Sequence, residues 1–138
     1  MASDTFRLII LTPYGGYADQ QAAFLSVRSE DYNLGILPNH APLISTVDIC
    51  KMVVRSPRGN EEEFAVGGGV IKVEDNVVTL LLNSIERKEE INLLRAEESK
   101  KRAEERLKES AYDDAIDVSR AKAALLRAAN RIRIKSNK

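Results

Sequence analysis

All seven glycines and all four prolines of this 138-residue chain fall before residue 70, and the remainder contains neither. A stretch without either residue, rich in Ala, Leu, Glu, Lys and Arg, is helical by propensity. A stretch punctuated by both folds as short elements joined by turns. Charge changes along the chain in the same way. Residues 1–84 hold six Lys and Arg against ten Asp and Glu, whereas residues 85–138 hold fifteen against eleven. The chain is therefore read as two parts: a β-rich body over 1–84 and a two-helix hairpin over 85–138.

Within the body, short apolar runs alternate with turn signals, the pattern of antiparallel strands. The runs are 6–11, 23–27, 43–47, 49–55, 63–66, 70–73 and 77–82. Ser56-Pro57-Arg58-Gly59-Asn60 and Glu74-Asp75-Asn76 carry the chemistry of hairpin turns, and Pro13-Tyr14-Gly15-Gly16 interrupts an earlier pair. Seven or more short strands with frequent turns point to a β sandwich rather than a flattened barrel. With no Trp and 5% aromatic residues, its core is aliphatic. Cys50, the single cysteine, cannot form an internal disulfide and reads as a small buried hydrophobe.

Two features of the body resemble chemical sites. Gly67-Gly68-Gly69 looks like a phosphate cradle, but no Lys-Ser/Thr follows, and glycines inside a strand mark bulges or close backbone approach. His40, the only histidine, has no Cys or second His near it for zinc, and no nucleophile motif beside it. Its setting, Pro38-Asn39-His40-Ala41-Pro42, is a stiff turn with Asn39 suited to a left-handed conformation, the kind of loop that presents surface contacts. No catalytic and no metal-ligating residue is assigned.

In the hairpin the break is placed at Ser110-Ala111-Tyr112-Asp113-Asp114. This gives helix one over about 88–109 and helix two over about 114–134, with Asp113 or Asp114 as the second cap. Between Arg95 and Arg106 the only apolar residues are Ala96 and Ala103. A buried Leu contributes about 1.5–3 kcal/mol and an alanine far less, so helix one packs weakly. The pairs Glu97–Lys101, Glu98–Arg102 and Glu104–Lys108 together support it by about 1 kcal/mol. Such a hairpin is expected to detach or extend while the body stays folded.

Arginines recur at spacings of seven and four, as Arg95, Arg102 and Arg106 and again as Arg120, Arg127 and Arg131. Each set forms one stripe on a helix. A fold about residues 111–112 sets Arg95 opposite Arg127, Arg102 opposite Arg120, and Arg106 opposite Asp117. Facing guanidinium groups repel unless an anion or acidic surface lies between them, or unless they splay into solvent. A polyphosphate suits them.

The N-terminus lacks a basic flank followed by an apolar stretch, so no signal peptide is expected. The longest apolar runs are too short to span a bilayer. Any membrane association is expected to come through a partner.

Leu34-Gly35-Ile36-Leu37-Pro38-Asn39-His40-Ala41-Pro42-Leu43, then Phe64-Ala65-Val66-Gly67-Gly68-Gly69, then the charged two-helix tail together resemble the epsilon subunits of bacterial F-type ATP synthases. The resemblance covers essentially the whole chain. It implies a ten-stranded sandwich followed by an antiparallel helical hairpin, in a central-stalk (rotor) subunit that is not itself catalytic. The implied partners are the gamma subunit and the ring of c subunits, together with the alpha and beta subunits reached by the extended hairpin, which restrains ATP hydrolysis. The implied location is the cytoplasmic face of the bacterial membrane, held there by a proton- or sodium-translocating complex.

The same resemblance implies a regulatory ATP on the folded hairpin, with no cofactor otherwise required. The matching positions are Ile91, Asn92, Arg95 and Ala96, with Arg102, Arg127, Arg131 and the earlier Glu86. Asn92 stands where the family motif has Asp, which keeps hydrogen bonding but removes a charge. Asn33 and His40 are the implied ring contacts, and Asn39 and Arg120 join them as partner-contact candidates. Many relatives carry an acid at the position of Asn33 and Gly at that of Asn39. A basic hairpin on a β scaffold could alternatively bind nucleic acid. Eleven acids on the hairpin and zero net charge weigh against a phosphate-backbone binder, so no nucleic-acid partner is expected.

Overall fold

The computed structural model describes residues 4–137. Contacts divide the chain into two units, Met1–Arg87 and Lys88–Lys138. The first contains β1 (Phe6–Thr12), β2 (Gly15–Ala22), β3 (Phe24–Ser29), β4 (Tyr32–Ile36), β5 (Leu43–Arg55), β6 (Glu61–Glu74), β7 (Val77–Leu82) and β8 (Ile85–Arg87). Hydrogen bonding runs β2-β1-β7-β6-β5-β3-β4, with β8 also on β6. The β1–β7 pair is parallel and the others are antiparallel. Phe6, Leu8 and Ile10 of β1 are buried at every second position, as are Val78, Leu80 and Leu82 of β7. The side-chain period of two sends these residues to one face. They join Leu25, Val27, Met52 and Ile71 in one core cluster. A single hydrogen-bonded sheet whose inward residues all meet in one core is folded over on itself, so the unit is a β sandwich.

The fold-over happens in β5 and β6. The first half of β6 pairs with β8 and the second half with β7. Between these halves the β5–β6 ladder skips one residue on each strand: Val47 pairs with Gly69 and Ile49 with Gly67, leaving out Asp48 and Gly68. The buried parity shifts at the same place, from Val47 to Cys50, Met52 and Val54 in β5 and from Phe64 and Val66 to Ile71 and Val73 in β6. Glycine is required here by space. A Cβ on Gly69 would lie 1.9 Å from the Leu81 carbonyl oxygen and one on Gly67 would lie 2.1 Å from Ser84 Oγ, while Gly68 has φ +86°. The Gly67–Gly69 run is thus a close-approach corner.

The ten strands implied by resemblance are eight here, because β5 and β6 run unbroken through the corner. Counting their halves separately restores ten. Four of the apolar runs read as separate strands (43–47 with 49–55, and 63–66 with 70–73) accordingly merge in pairs. The sheet continues to Arg87, three residues beyond the compositional boundary at 84, because Ile85–Arg87 pair with Val66–Phe64.

The second unit opens with a short 3-10 turn, Lys88–Glu90, followed by α1 (Leu93–Glu109) and α2 (Val118–Ser136). The helices pack on one another. The open end is closed by the Lys135 ammonium, which donates to the Lys88 and Glu89 carbonyls at 3.1 and 3.3 Å, and by Lys88 Nζ, which donates to the Asn137 carbonyl. The hairpin is therefore antiparallel. The first helix starts later than residue 88 because Asn92 caps it, its side chain accepting from the Arg95 N–H at 3.0 Å. Helix two starts at 118 rather than 114, and its cap is Asp117, not Asp113 or Asp114. Asp113 is engaged locally: its Oδ1 accepts from the Ala115 N–H at 2.9 Å and its carbonyl from the Ile116 N–H. That turn delays the second helix.

Candidate functional site

The cationic stripes of the hairpin are built on alanine. The buried residues of α1 are Ala96 and Ala103, and those of α2 are Ala121, Ala128, Asn130 and Ile134. Arginine precedes these alanines directly: Arg95, Arg102, Arg120 and Arg127 each stand one residue before a buried Ala. Each guanidinium therefore leaves the helix about 100° from a buried position. Arg95, Arg102, Arg106 and Arg120 are exposed, and Arg127 and Arg131 are half-buried.

The three expected i,i+4 pairs are not formed within 4.0 Å among the described residues, and Arg102 instead donates to Ser99 Oγ at 3.0 Å. Nor does Arg106 meet Asp117, whose carboxylate accepts from the Arg120 N–H at 3.1 Å as the helix cap. The late start of α2 also regroups the stripes. Arg120, in the first turn of α2, belongs to the turn end with Arg106. Arg102 and Arg127 fall near the middles of their helices, and Arg95 and Arg131 near the open end. The fold about residues 111–112 had set Arg102 against Arg120. An eight-residue connection, 110–117, replaces that tighter turn.

Of the remaining residues assigned to nucleotide, Ile91 is buried just before the Asn92 cap. Glu86 lies on β8 of the sandwich unit, paired in register with Ala65. Asn92 Oδ1 is already an acceptor for the Arg95 amide, so this side chain fixes the backbone of Arg95. Among the described residues no carboxylate lies within 4.0 Å of the Arg95, Arg102 or Arg127 guanidinium, so these side chains keep the charge that suits a polyphosphate.

Asn33, Asn39 and His40 bracket edge strand β4. Asn33 is its second residue, while Asn39 and His40 lie beyond its end. About 13 Å of strand separates Asn33 from Leu37, where the following loop begins, so the three do not converge on one point. At the first end, the β3–β4 turn is tied to Asp48 of β5 through the amides of Glu30 and Asp31. At the second, Asn39 N–H donates to Asn76 Oδ1 at 2.8 Å, and His40 Nδ1 lies 2.7 Å from the Ala41 carbonyl. Asp48 was not picked out by reading the sequence, and Asn76 only as part of the Glu74-Asp75-Asn76 turn. The signal for Asp48 was an acid standing between Val47 and Ile49. No helix among the described residues is long and apolar enough to cross a membrane.

Two family models match the chain in succession. The first, described as ATP synthase, Delta/Epsilon chain, beta-sandwich domain, covers residues 5–88. The second, described as ATP synthase, Delta/Epsilon chain, long alpha-helix domain, covers residues 89–136. Proteins named ATP synthase epsilon chain from two strains of Desulfitobacterium hafniense, Y51 and DSM 10664 / DCB-2, are each 40% identical over 133 residues. That span is 96% of this chain and 98% of theirs. A chain in the mitochondrial ATP synthase of Euglena gracilis (OSCP/F1/c-ring) shares the fold with TM-score 0.79 at 18% identity, covering 94% of this chain and 81% of that one. A chain in the central stalk/c-ring of the Tetrahymena thermophila mitochondrial ATP synthase does so with TM-score 0.59 at 13% identity, covering 99% and 97%.

Proposed function

The chain belongs to the ATP synthase delta/epsilon chain family, and from that premise we propose that it is the epsilon subunit of a rotary central stalk. In this reading the sandwich joins the gamma subunit to the c ring, and the hairpin regulates ATP hydrolysis. The subunit has no catalytic residue of its own. Its membrane association is peripheral, through the complex, on the cytoplasmic face. The observation that carries the reading is the sandwich followed by the hairpin in the family's order, matched continuously from residue 5 to residue 136. Co-purification with gamma and the c ring tests it. Recovery of the chain alone from membranes carrying an intact synthase would overturn it.

Regulation in this scheme is a population shift between hairpin positions, biased by whatever binds one position better. Alanine burial supports it physically: α1 offers no large buried side chain to hold one arrangement. The folded hairpin binds ATP through Arg95 and Arg102 on α1 and Arg127 and Arg131 on α2. The extended hairpin presents the same charge to acidic segments of alpha and beta. Titrating the isolated protein with ATP should give saturable binding that weakens when Arg102 or Arg127 is replaced by Ala. An absence of saturation at millimolar ATP would remove the nucleotide from the scheme. Deleting residues 88–138 should raise ATPase activity of the assembled complex, and unchanged activity would remove the brake.

A further inference from the structure

Among the described residues edge strand β4 pairs with β3 alone, which leaves its second edge without a strand. Tyr32 at its start is 77% exposed and Leu37 just past its end is 59% exposed. Both ends are held by side chains from distant parts of the sandwich. At the start, Glu30 and Asp31 have φ +51° and +68°. Two successive left-handed residues suit a hairpin turn, but Glu is poorly adapted to that conformation and Gly is absent. Asp48, the residue of β5 left out of the ladder at the corner, supplies the missing support. Its Oδ1 accepts from the Glu30 N–H at 3.1 Å and its Oδ2 from the Asp31 N–H at 2.9 Å. At the far end Asn39 has φ +63°. Asn76 accepts from the Asn39 N–H at 2.8 Å through Oδ1 and donates through Nδ2 to the Thr5 carbonyl at 2.9 Å. One side chain thus ties the β4–β5 loop to the N-terminal segment.

We propose that Asp48 and Asn76 are positioning residues that preset the two ends of β4 for docking, so that the Tyr32–Asn33 end and the Asn39–His40 end meet a partner in one geometry. This rests on the proposed function, in which the sandwich meets the c ring, and on the family resemblance, which implies Asn33 and His40 as the ring contacts. Both positioning side chains are half-buried and act through the loops they hold. Unheld, each loop would sample several geometries, and binding would carry the ordering cost.

The test uses the full-length chain with Asp48→Ala and Asn76→Ala. Amide exchange is read residue by residue, and affinity is measured for the purified c ring assembled with gamma. Exchange at Glu30 and Asp31 in the first variant, and at Asn39 in the second, should rise on the order of tenfold while β6 and β7 amides are unchanged. Affinity should fall on the order of tenfold in each.

Two further variants separate positioning from bulk stability. Glu30→Asn with Asp31→Gly, placed in the Asp48→Ala background, supplies a turn that favours left-handed residues by itself and should restore affinity. Asn76→Asp keeps the acceptor for Asn39 and loses the donor to Thr5, so it should bind within about twofold of the parent chain. Unchanged local exchange, faster exchange throughout the sandwich, or loosened loops with full affinity would each overturn the proposal. If Tyr32→Ala and His40→Ala bind the ring like the parent chain, the ring-facing reading fails and this inference falls with it.

Discussion

At Gly69 a single methyl group would fill space already occupied by another strand's carbonyl. Its Cβ would stand 1.9 Å from the Leu81 oxygen, a backbone atom that cannot swing away. Gly69→Ala is expected to cost more than about 3 kcal/mol, among the largest single-residue losses, measured by urea denaturation. Gly59→Ala is the informative contrast. Gly59 also has positive φ, +92°, but nothing lies within 4 Å of its Cβ direction, so only backbone strain of about 1–2 kcal/mol is expected.

Asn92 shows a residue whose role depends on its backbone. As the α1 cap, Asn92→Ala should cost about 1 kcal/mol of helix stability. Asn92→Asp should keep the cap and add a favourable charge at the helix start. Faster and slower exchange of the Arg95 amide, respectively, would report the two effects.

Arg7 and Asp19 form a two-pronged pair at 2.9 and 2.7 Å across β1 and β2. The hydrogen bond from Arg7 holds the Asp19 carboxyl below its usual value of 3.8. A depressed folded value means the pair's contribution is present above pH 3.8 and is lost as pH falls through the lower folded value. Both groups are about half exposed, so the effect is small and screened by salt. Asp19→Asn should therefore be no less stable than the parent chain at the bottom of an acid titration, and slightly less stable at neutral pH.

Among the elements, those with one buried face were legible and those at an edge were not. β1 and β7 alternate cleanly because each is covered on one side by the core. The edge strand β2, Gly-Gly-Tyr-Ala-Asp-Gln-Gln-Ala, has only Ala22 fully buried, so it carries almost no period-two apolar signal. β4 is similar, with Ile36 alone buried. Edge strands of this kind are made by pairing with a neighbour, which a local pattern does not encode. The helices were legible by composition, but their ends were set by whichever Asn or Asp happened to cap, as Asn92 and Asp117 do. With alanine as the principal buried residue, the hairpin should open locally at lower free energy than the sheet. Native-state exchange should run at least about a hundredfold faster in α1 than in β6 and β7. Equal protection would contradict that.

At the scale of the whole molecule, the sandwich holds its own core. All eighteen buried residues of the main cluster lie between Phe6 and Leu82. A chain ending at Arg87 should therefore fold alone and unfold cooperatively, checked by coincident far-UV circular dichroism and fluorescence-independent calorimetric transitions. A non-cooperative melt would show that the hairpin completes the fold. The candidate site divides along the same line. The arginine stripes could be read from spacing, because a helix converts sequence intervals of four and seven into one face. Which arginines share a level could not, because an eight-residue connection replaced the expected short one.

Composition and periodicity were sufficient for the division into a β part and a helical part, the hairpin turns at Ser56–Asn60 and Glu74–Asn76, and the cationic faces of both helices. These are local properties, fixed by propensity and by the repeat of each element. The crossing of β5 and β6, the edge strands, the cap at Asp117 and the ties from Asp48 and Asn76 were decided by the folded chain alone. The Asp117 cap reaches only the nearby Arg120 N–H, but the others depend on atoms brought together from distant positions, as when Asp48 meets Glu30 or Asn76 meets Thr5. A glycine run marks where backbones approach, but only the partner strand shows that Gly69 has no room for a side chain.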